Sequence, residues 1–144
     1  MPHSASQNNG FRKQLAFRCL PLVIWTLLIL WLSLMSSPPS APGILGWDKL
    51  QHFLAYGLLA LLIARVTELI PAGCNRRAWW QAWLAAVLFG LLLECLQWAM
   101  HSGRAAEWSD LAADALGAFV ACVIFRQLQE VNRTRTLSGT KRNG

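Results

Sequence analysis

Residues 17–35 read Phe17-Arg18-Cys19-Leu20-Pro21-Leu22-Val23-Ile24-Trp25-Thr26-Leu27-Leu28-Ile29-Leu30-Trp31-Leu32-Ser33-Leu34-Met35. Apart from Arg18, Thr26 and Ser33 the run is apolar, close to the ~20 residues that cross a ~30 Å hydrocarbon layer at about 1.5 Å per residue. It predicts a membrane-spanning helix. Basic residues before it and Ser36-Ser37-Pro38-Pro39-Ser40-Ala41 after it also resemble a secretory signal with a cleavage point near Ser40 and Ala41. The apolar core is longer than the ~7–15 residues usual in such signals, and further apolar helices follow, so the run is read as an uncleaved first helix.

Outward from that helix the same pattern repeats. Residues 1–16 are polar, lack hydrophobic periodicity and read as a disordered cytoplasmic tail. The Pro-, Ser- and Gly-rich stretch 36–46 ends the first helix as a loop. A second helix is expected over 48–66, then a loop at 68–77 containing Pro71 and Gly73, then a third helix over 78–100. Trp79, Trp80 and Trp83 open the third helix, where aromatic residues sit at headgroup level. After a turn at 101–109 a fourth helix, the shortest, is expected over 110–125, reaching across only if its first turn lies at the interface. The chain thus divides into a tail (1–16), a four-helix membrane domain (17–126) and a basic cytoplasmic tail (127–144). The fold class is all-α and integral to the membrane, with four transmembrane helices and both termini cytoplasmic.

Composition agrees with that class: 55% hydrophobic residues against 14% charged ones is too apolar for an ordinary soluble domain of 144 residues. The net charge of +6 does not point to nucleic acid, because the basic residues lie in the tails and one central loop rather than interleaved with surface aromatics. Of the thirteen Lys and Arg, all but Lys49 and Arg104 fall on one side of the expected topology, and the positive-inside rule makes that side cytoplasmic. Asp48, Glu94, Glu107, Asp110 and Asp114 fall on the other, so a polar site opens outward. The expected location is a membrane crossed four times, with its basic side in the cytoplasm. Cys19, Cys74, Cys95 and Cys122 are widely separated, form no C-x-x-C pair, and read as small packing residues.

The polar residues are concentrated in two stretches, Trp47–Tyr56 and Glu94–Gly117. Asp48, His52 and Tyr56 recur at i, i+4 and i+8, one helical face; Glu94, Gln97 and His101 recur at i, i+3 and i+7; Asp110, Asp114 and Gly117 at i, i+4 and i+7. Three neighbouring helices therefore each aim a polar stripe from the same membrane side. Ionisable groups one to two turns below the surface cost roughly 2.5 kcal/mol or more, so they face a cavity or one another. Simpler roles compete. Asp48 with Gln51 forms a capping-box pattern, and Asp110 in a first turn complements the helix dipole. Lys49 and Arg104 suit interfacial snorkelling, His101 and Glu107 suit a solvated turn, and Gly117 suits close packing beside Ala113 and Ala121. Glu94, between Leu93 and Cys95, has no such account, because an unpaired buried carboxylate neutralises or finds a partner.

Asp48-Lys49, His52 and Tyr56 on one helix, Glu94 and Gln97 on the next, then Gly103-Arg104, Asp110 and Gly117, taken together in this order, resemble the VanZ-like family of small bacterial membrane proteins. The resemblance covers about residues 20–126. Two positions depart from it: Asp114 stands where the family often has Asn, and Ala121 where a second Gly is common. The resemblance implies a bacterial cytoplasmic (inner) membrane and a role at its outer leaflet, near cell-wall precursors or lipid-bearing antibiotics; the family's name comes from a protein associated with resistance to the lipoglycopeptide teicoplanin.

Three functions compete. In the first, an outward pocket binds a lipid-linked or amphipathic cell-envelope molecule, with Lys49, Tyr56, Gln97, Arg104, Asp110 and Asp114 as binding residues. In the second, an intramembrane enzyme uses His52, oriented by Asp48, with Glu94 or Asp114 for acid/base work on a lipid head group. No metal ligand is assigned from spacing, although the same His and carboxylates could hold a divalent cation. Neither a Ser- or Cys-based nucleophile motif nor an H-E-x-x-H or P-loop pattern occurs. In the third, the polar stripe serves helix packing or proton movement. The sequence names no cofactor and leaves enzyme status open; the expected partners are membrane lipids.

Overall fold

The computed structural model describes residues 3–35, 47–69, 78–100 and 108–142. They form four helices: α1 (His3–Leu34), α2 (Trp47–Thr67), α3 (Ala78–Met100) and α4 (Trp108–Arg142). No strand occurs among the described residues. Each helix contains a segment long and apolar enough to cross a membrane: Arg12–Leu34, Asp48–Thr67, Ala78–Met100 and Trp108–Val131. The expected loops at 36–46 and 101–107, and most of that at 68–77, lie outside the described residues; Glu68 and Leu69 form a turn closed by Glu68 N donating to Ala64 O at 3.1 Å.

The bounds of α2 and α3 follow the apolar pattern to within a residue. The ends of α1 and α4 do not. Residues 3–16, expected as a disordered tail, continue α1 as helix, and α4 starts two residues earlier than expected and runs on to Arg142. Extending an existing helix adds one hydrogen bond per residue without a new nucleation cost, whether or not the residues are apolar. No proline stands in the way in either extension, and the pair from Arg126 Nε to Glu130 Oε1 at 3.0 Å supports α4 where its apolar run ends. The fourth helix is therefore not the shortest span, since its apolar segment covers 24 residues. Pro21 lies inside α1 without ending it, as proline does in membrane helices whose neighbours and side chains re-satisfy the backbone.

The packing faces are built from small residues. On α3, Ala78, Ala82, Ala86, Gly90, Leu93 and Gln97 are buried at helical spacing, one stripe along the helix. Against it stand Tyr56, Leu59, Ala60 and Ala64 of α2 and Ala118 and Cys122 of α4. Small side chains let backbones approach closely, which drives helix association where lipid removes most of the hydrophobic incentive. The α2–α4 contact is the tightest: a Cβ on Gly117 would lie 2.0 Å from the Phe53 carbonyl oxygen, and one on Gly57 would lie 3.2 Å from the Gly117 carbonyl oxygen. Helix α1 is peripheral, contributing Ile29 to the buried core while Phe17, Leu20, Ile24, Leu27 and Trp31 stay exposed. Outward Leu, Ile, Val and Trp side chains on the other helices complete an apolar exterior.

Polar ties set the direction of each helix. Arg18 Nη1 donates to Arg65 O at 2.7 Å and pairs with Glu68 Oε2 at 3.4 Å, joining the α1 N-terminal half to the end of α2. Gln97 Nε2 donates to Ser33 O at 2.9 Å, joining the ends of α3 and α1. Helices α1 and α3 thus run one way, α2 and α4 the other. Two indole donors brace the middle: Trp25 Nε1 to Ala55 O and Trp83 Nε1 to Ala115 O, each at 3.0 Å. At the Arg18 end, Trp79 stacks on Trp80, Trp80 meets Trp83 edge to face, and the Arg126 guanidinium lies 5.3 Å from the Trp79 ring centre, within cation–π range. Cys19, Cys95 and Cys122 are free thiols, with Cys122 buried in the core.

Candidate functional site

At the opposite end the parallel helices α2 and α4 both begin, and the first-turn acids are Asp48 and Asp110. Helix N-termini carry partial positive charge from unpaired N–H groups, which favours carboxylates in the first turn. Because α2 already includes Trp47, Asp48 stands within the helix rather than in the capping position before it, so the dipole explains it better than the capping-box pattern. Neither acid stops at that role.

The side chains of α2 and α4 interlock into a chain of charges descending into the bundle. The Lys49 ammonium pairs with Asp110 Oδ1 and lies 3.7 Å from Asp48 Oδ2. His52 Nε2 is 3.6 Å from Asp110 Oδ2, and His52 Nδ1 is 2.9 Å from Asp114 Oδ1. Side-chain exposure falls along this path, from 55% at Asp48 through 36% at Lys49 and 19% at His52 to 2% at Asp114. The spacing explains the arrangement: i, i+4 pairs on two parallel helices place Asp48 and His52 one above the other beside Asp110 and Asp114. With Asp114 ionised, the imidazole donates from Nδ1–H, and Nε2 is turned toward Asp110.

The floor is aromatic. The Tyr56 ring lies nearly parallel to the His52 ring, 8° between planes and 6.3 Å between centres, and touches Phe89 of α3 at 6.4 Å. Gly90 keeps this floor open: a Cβ there would sit 2.8 Å from Asp114 Oδ2 and 3.1 Å from Tyr56 Cε1. Glu94, one turn further along α3, has its Oε2 oxygen shielded from the exterior.

The geometry therefore brings together Asp48, Lys49, His52, Tyr56, Asp110 and Asp114; Glu94 lies one turn along α3 from Gly90, the residue that faces Asp114 and Tyr56. Gln97 is used differently: its amide holds the Ser33 carbonyl of α1 rather than lining up with His52. Arg104, His101 and Glu107 lie outside the described residues. Gly90, Gly57 and Phe89 were not singled out from sequence. An isolated glycine within an apolar helix is the signal that marks Gly90 and Gly57, since such a residue usually has a packing reason; Phe89 carried no signal beyond being apolar.

Chemically the cluster offers three carboxylates against one ammonium, an imidazole with one nitrogen fixed, and a buried phenol. Asp48, His52 and Asp110 each present a donor atom, all within 4.8 Å of one another. The VanZ/LLP1 family model matches residues 4–129 of the chain. No curated protein and no solved structure matches it.

Proposed function

The chain belongs to the VanZ/LLP1 family, and from that premise we propose that it is a multi-pass protein of a bacterial inner membrane whose polar cluster faces outward and binds the head group of a lipid-linked or amphipathic cell-envelope molecule. The observation that carries this reading is Asp114, only 1% exposed yet held by His52 at the bottom of a graded path of ionisable groups. Ionisable groups within a span cost roughly 2.5–3.5 kcal/mol each even on the gentlest scale. Helix packing does not require them, because Ala, Gly and Cys already form the contacts between α2, α3 and α4. The head group would enter between the starts of α2 and α4 while its acyl part lies along the apolar exterior. Hydroxyl, amide and ammonium donors of the ligand would meet the carboxylates; Lys49 and Arg104 would meet phosphate or carboxylate. A lipoglycopeptide of the teicoplanin kind is one ligand that this reading accommodates, and resistance to it is then the phenotype to measure.

The test is mass spectrometry of lipids and small molecules that copurify with wild type and with a Lys49→Ala, His52→Ala double variant. Both positions are partly exposed, so the variant is expected to fold, and its elution profile checks this. A polyprenyl-phosphate lipid or other envelope amphiphile retained by wild type and lost from the variant is expected. Equal retention, or none by either, would count against binding.

One observation favours a second reading. Asp114 fixes the His52 imidazole through Nδ1 at 2.9 Å, the arrangement by which a carboxylate orients a histidine for acid/base work through its other nitrogen. On that reading the bound head group is also a substrate. Envelope-lipid pools that stay unchanged after His52→Ala would remove it.

A further inference from the structure

We infer that the Asp48–His52–Asp110 constellation is a binding site for a divalent transition cation of the Mn2+ or Zn2+ kind, with Lys49 as the internal cation that holds the same position when no metal is bound. This deepens the head-group reading above and rests on it for the role of the ion, though not for its existence. Three observations lead to it. The donor atoms come from two helices and include an imidazole nitrogen as well as two carboxylates, all within 4.8 Å. Mixed nitrogen and oxygen donors suit Mn2+ or Zn2+ better than Mg2+ or Ca2+, which prefer oxygen alone.

The second observation is the position of Lys49, whose ammonium contacts Asp110 and stands 3.7 Å from Asp48. A positive group thus already bridges the carboxylates of α2 and α4. Its four-carbon stem is flexible and its side chain is 36% exposed, so it can withdraw toward the surface when a doubly charged ion takes its place. The third is the buried Asp114, which holds His52 Nδ1 and points Nε2 toward Asp110. Metal-bound histidines almost always have their other ring nitrogen fixed in this way. Asp114 is a positioning residue here, acting through His52.

Charge completes the argument. Among the described residues, Asp48, Asp110 and Asp114 outnumber Lys49, an excess of negative charge poorly suited to an anionic head group. A divalent ion cancels it. Metal–ligand bonds of about 2.0–2.2 Å around a tetrahedral ion set donors about 3.3–3.6 Å apart; His52 Nε2 and Asp110 Oδ2 at 3.6 Å already stand near that spacing, and donors at the 4.8 Å limit of the constellation close by a little more than an ångström. Three protein ligands leave coordination positions for a phosphate or carboxylate oxygen, and the displaced Lys49 becomes available to the same anion.

The experiment titrates detergent-purified, chelator-treated protein with Mn2+ followed by electron paramagnetic resonance, and with Zn2+ followed by calorimetry. One ion per chain is expected, with affinity lowered at least tenfold in Asp48→Asn and in His52→Gln, and by about 10–100-fold in Asp114→Leu through loss of imidazole orientation. Lys49→Met removes the internal competitor and is expected to tighten binding about tenfold or more, a gain that a misfolded protein cannot produce. No binding by wild type, binding indifferent to Asp48→Asn, or binding weakened by Lys49→Met would overturn the assignment. Envelope-lipid capture is measured separately on the same preparations. Metal binding without lipid capture leaves this site standing and removes the head-group reading; lipid capture without metal binding does the reverse.

Discussion

At the residue scale the determining contact is His52 with Asp114. The imidazole is 2.9 Å from a carboxylate that is almost wholly buried, beside the space that Gly90 leaves free. An amide oxygen of the same size can accept from Nδ1–H as a carboxylate does, whereas an aliphatic side chain cannot. Asp114→Asn is therefore expected to unfold in detergent within about 1 kcal/mol of wild type. Asp114→Leu strands the Nδ1 donor and is expected to lose about 1–3 kcal/mol. Chemical denaturation of both variants against wild type checks this; equal stability of the two would show that the contact holds nothing in place. The residue types were legible before the structure, since Asp48, His52, Asp110 and Asp114 recur at helical spacing. Their pairing was not. Spacing within one helix gives the face a residue lies on, but it does not say which face of which neighbour lies opposite, so Lys49 with Asp110 and His52 with Asp114 emerge only once α2 and α4 are set side by side. Gln97 shows the same limit from the other direction: its spacing from Glu94 suggested a common stripe, while its amide in fact reaches α1.

At the scale of elements, the site depends on how closely α2 and α4 approach. Gly117 lies against the Phe53 carbonyl, where an added Cβ would come within 2.0 Å of its oxygen. A backbone oxygen cannot rotate away as a side-chain end can, so relief requires the helices to separate, carrying Asp110 and Asp114 away from Lys49 and His52. Gly117→Ala is expected to destabilise the protein by about 3 kcal/mol, at the upper end of typical overpacking costs. Gly10→Ala in α1, where nothing lies within 4 Å of the added carbon, is expected to be neutral or to gain about 0.5–1 kcal/mol from helix propensity. Thermal unfolding of the two variants gives the comparison, and a similar shift in both would contradict the close-approach account. Sequence identified Gly117 as a packing residue beside Ala121, and it located α2 and α3 because their apolar runs begin and end abruptly at charged or polar residues. It misplaced the ends of α1 and α4 for a physical reason: hydropathy marks where a helix leaves an apolar environment, while backbone hydrogen bonding continues until something interrupts it.

At the scale of the whole molecule the two ends of the bundle differ in kind. One holds Arg18, Arg65 and Arg126 among stacked tryptophans; the other gathers Asp48, Asp110 and Asp114 around one lysine and one histidine. The starts of α2 and α4 lie together at the acidic end, so their two positive dipole ends support the carboxylates there. Among the described residues, four helices of alternating direction put the N-terminal half of α1 and the C-terminal half of α4 at the basic end. If basic flanks stay in the cytoplasm, the acidic cluster faces outward, as the cell-envelope head-group reading requires. Reporter fusions decide the matter: alkaline phosphatase joined after residue 144 is expected to be inactive and green fluorescent protein there fluorescent, while phosphatase joined after residue 46 or residue 107 is expected to be active. The reverse pattern would turn the cluster toward the cytoplasm, where an extracytoplasmic envelope molecule cannot reach it, and the ligand would then have to be sought among cytoplasmic head groups.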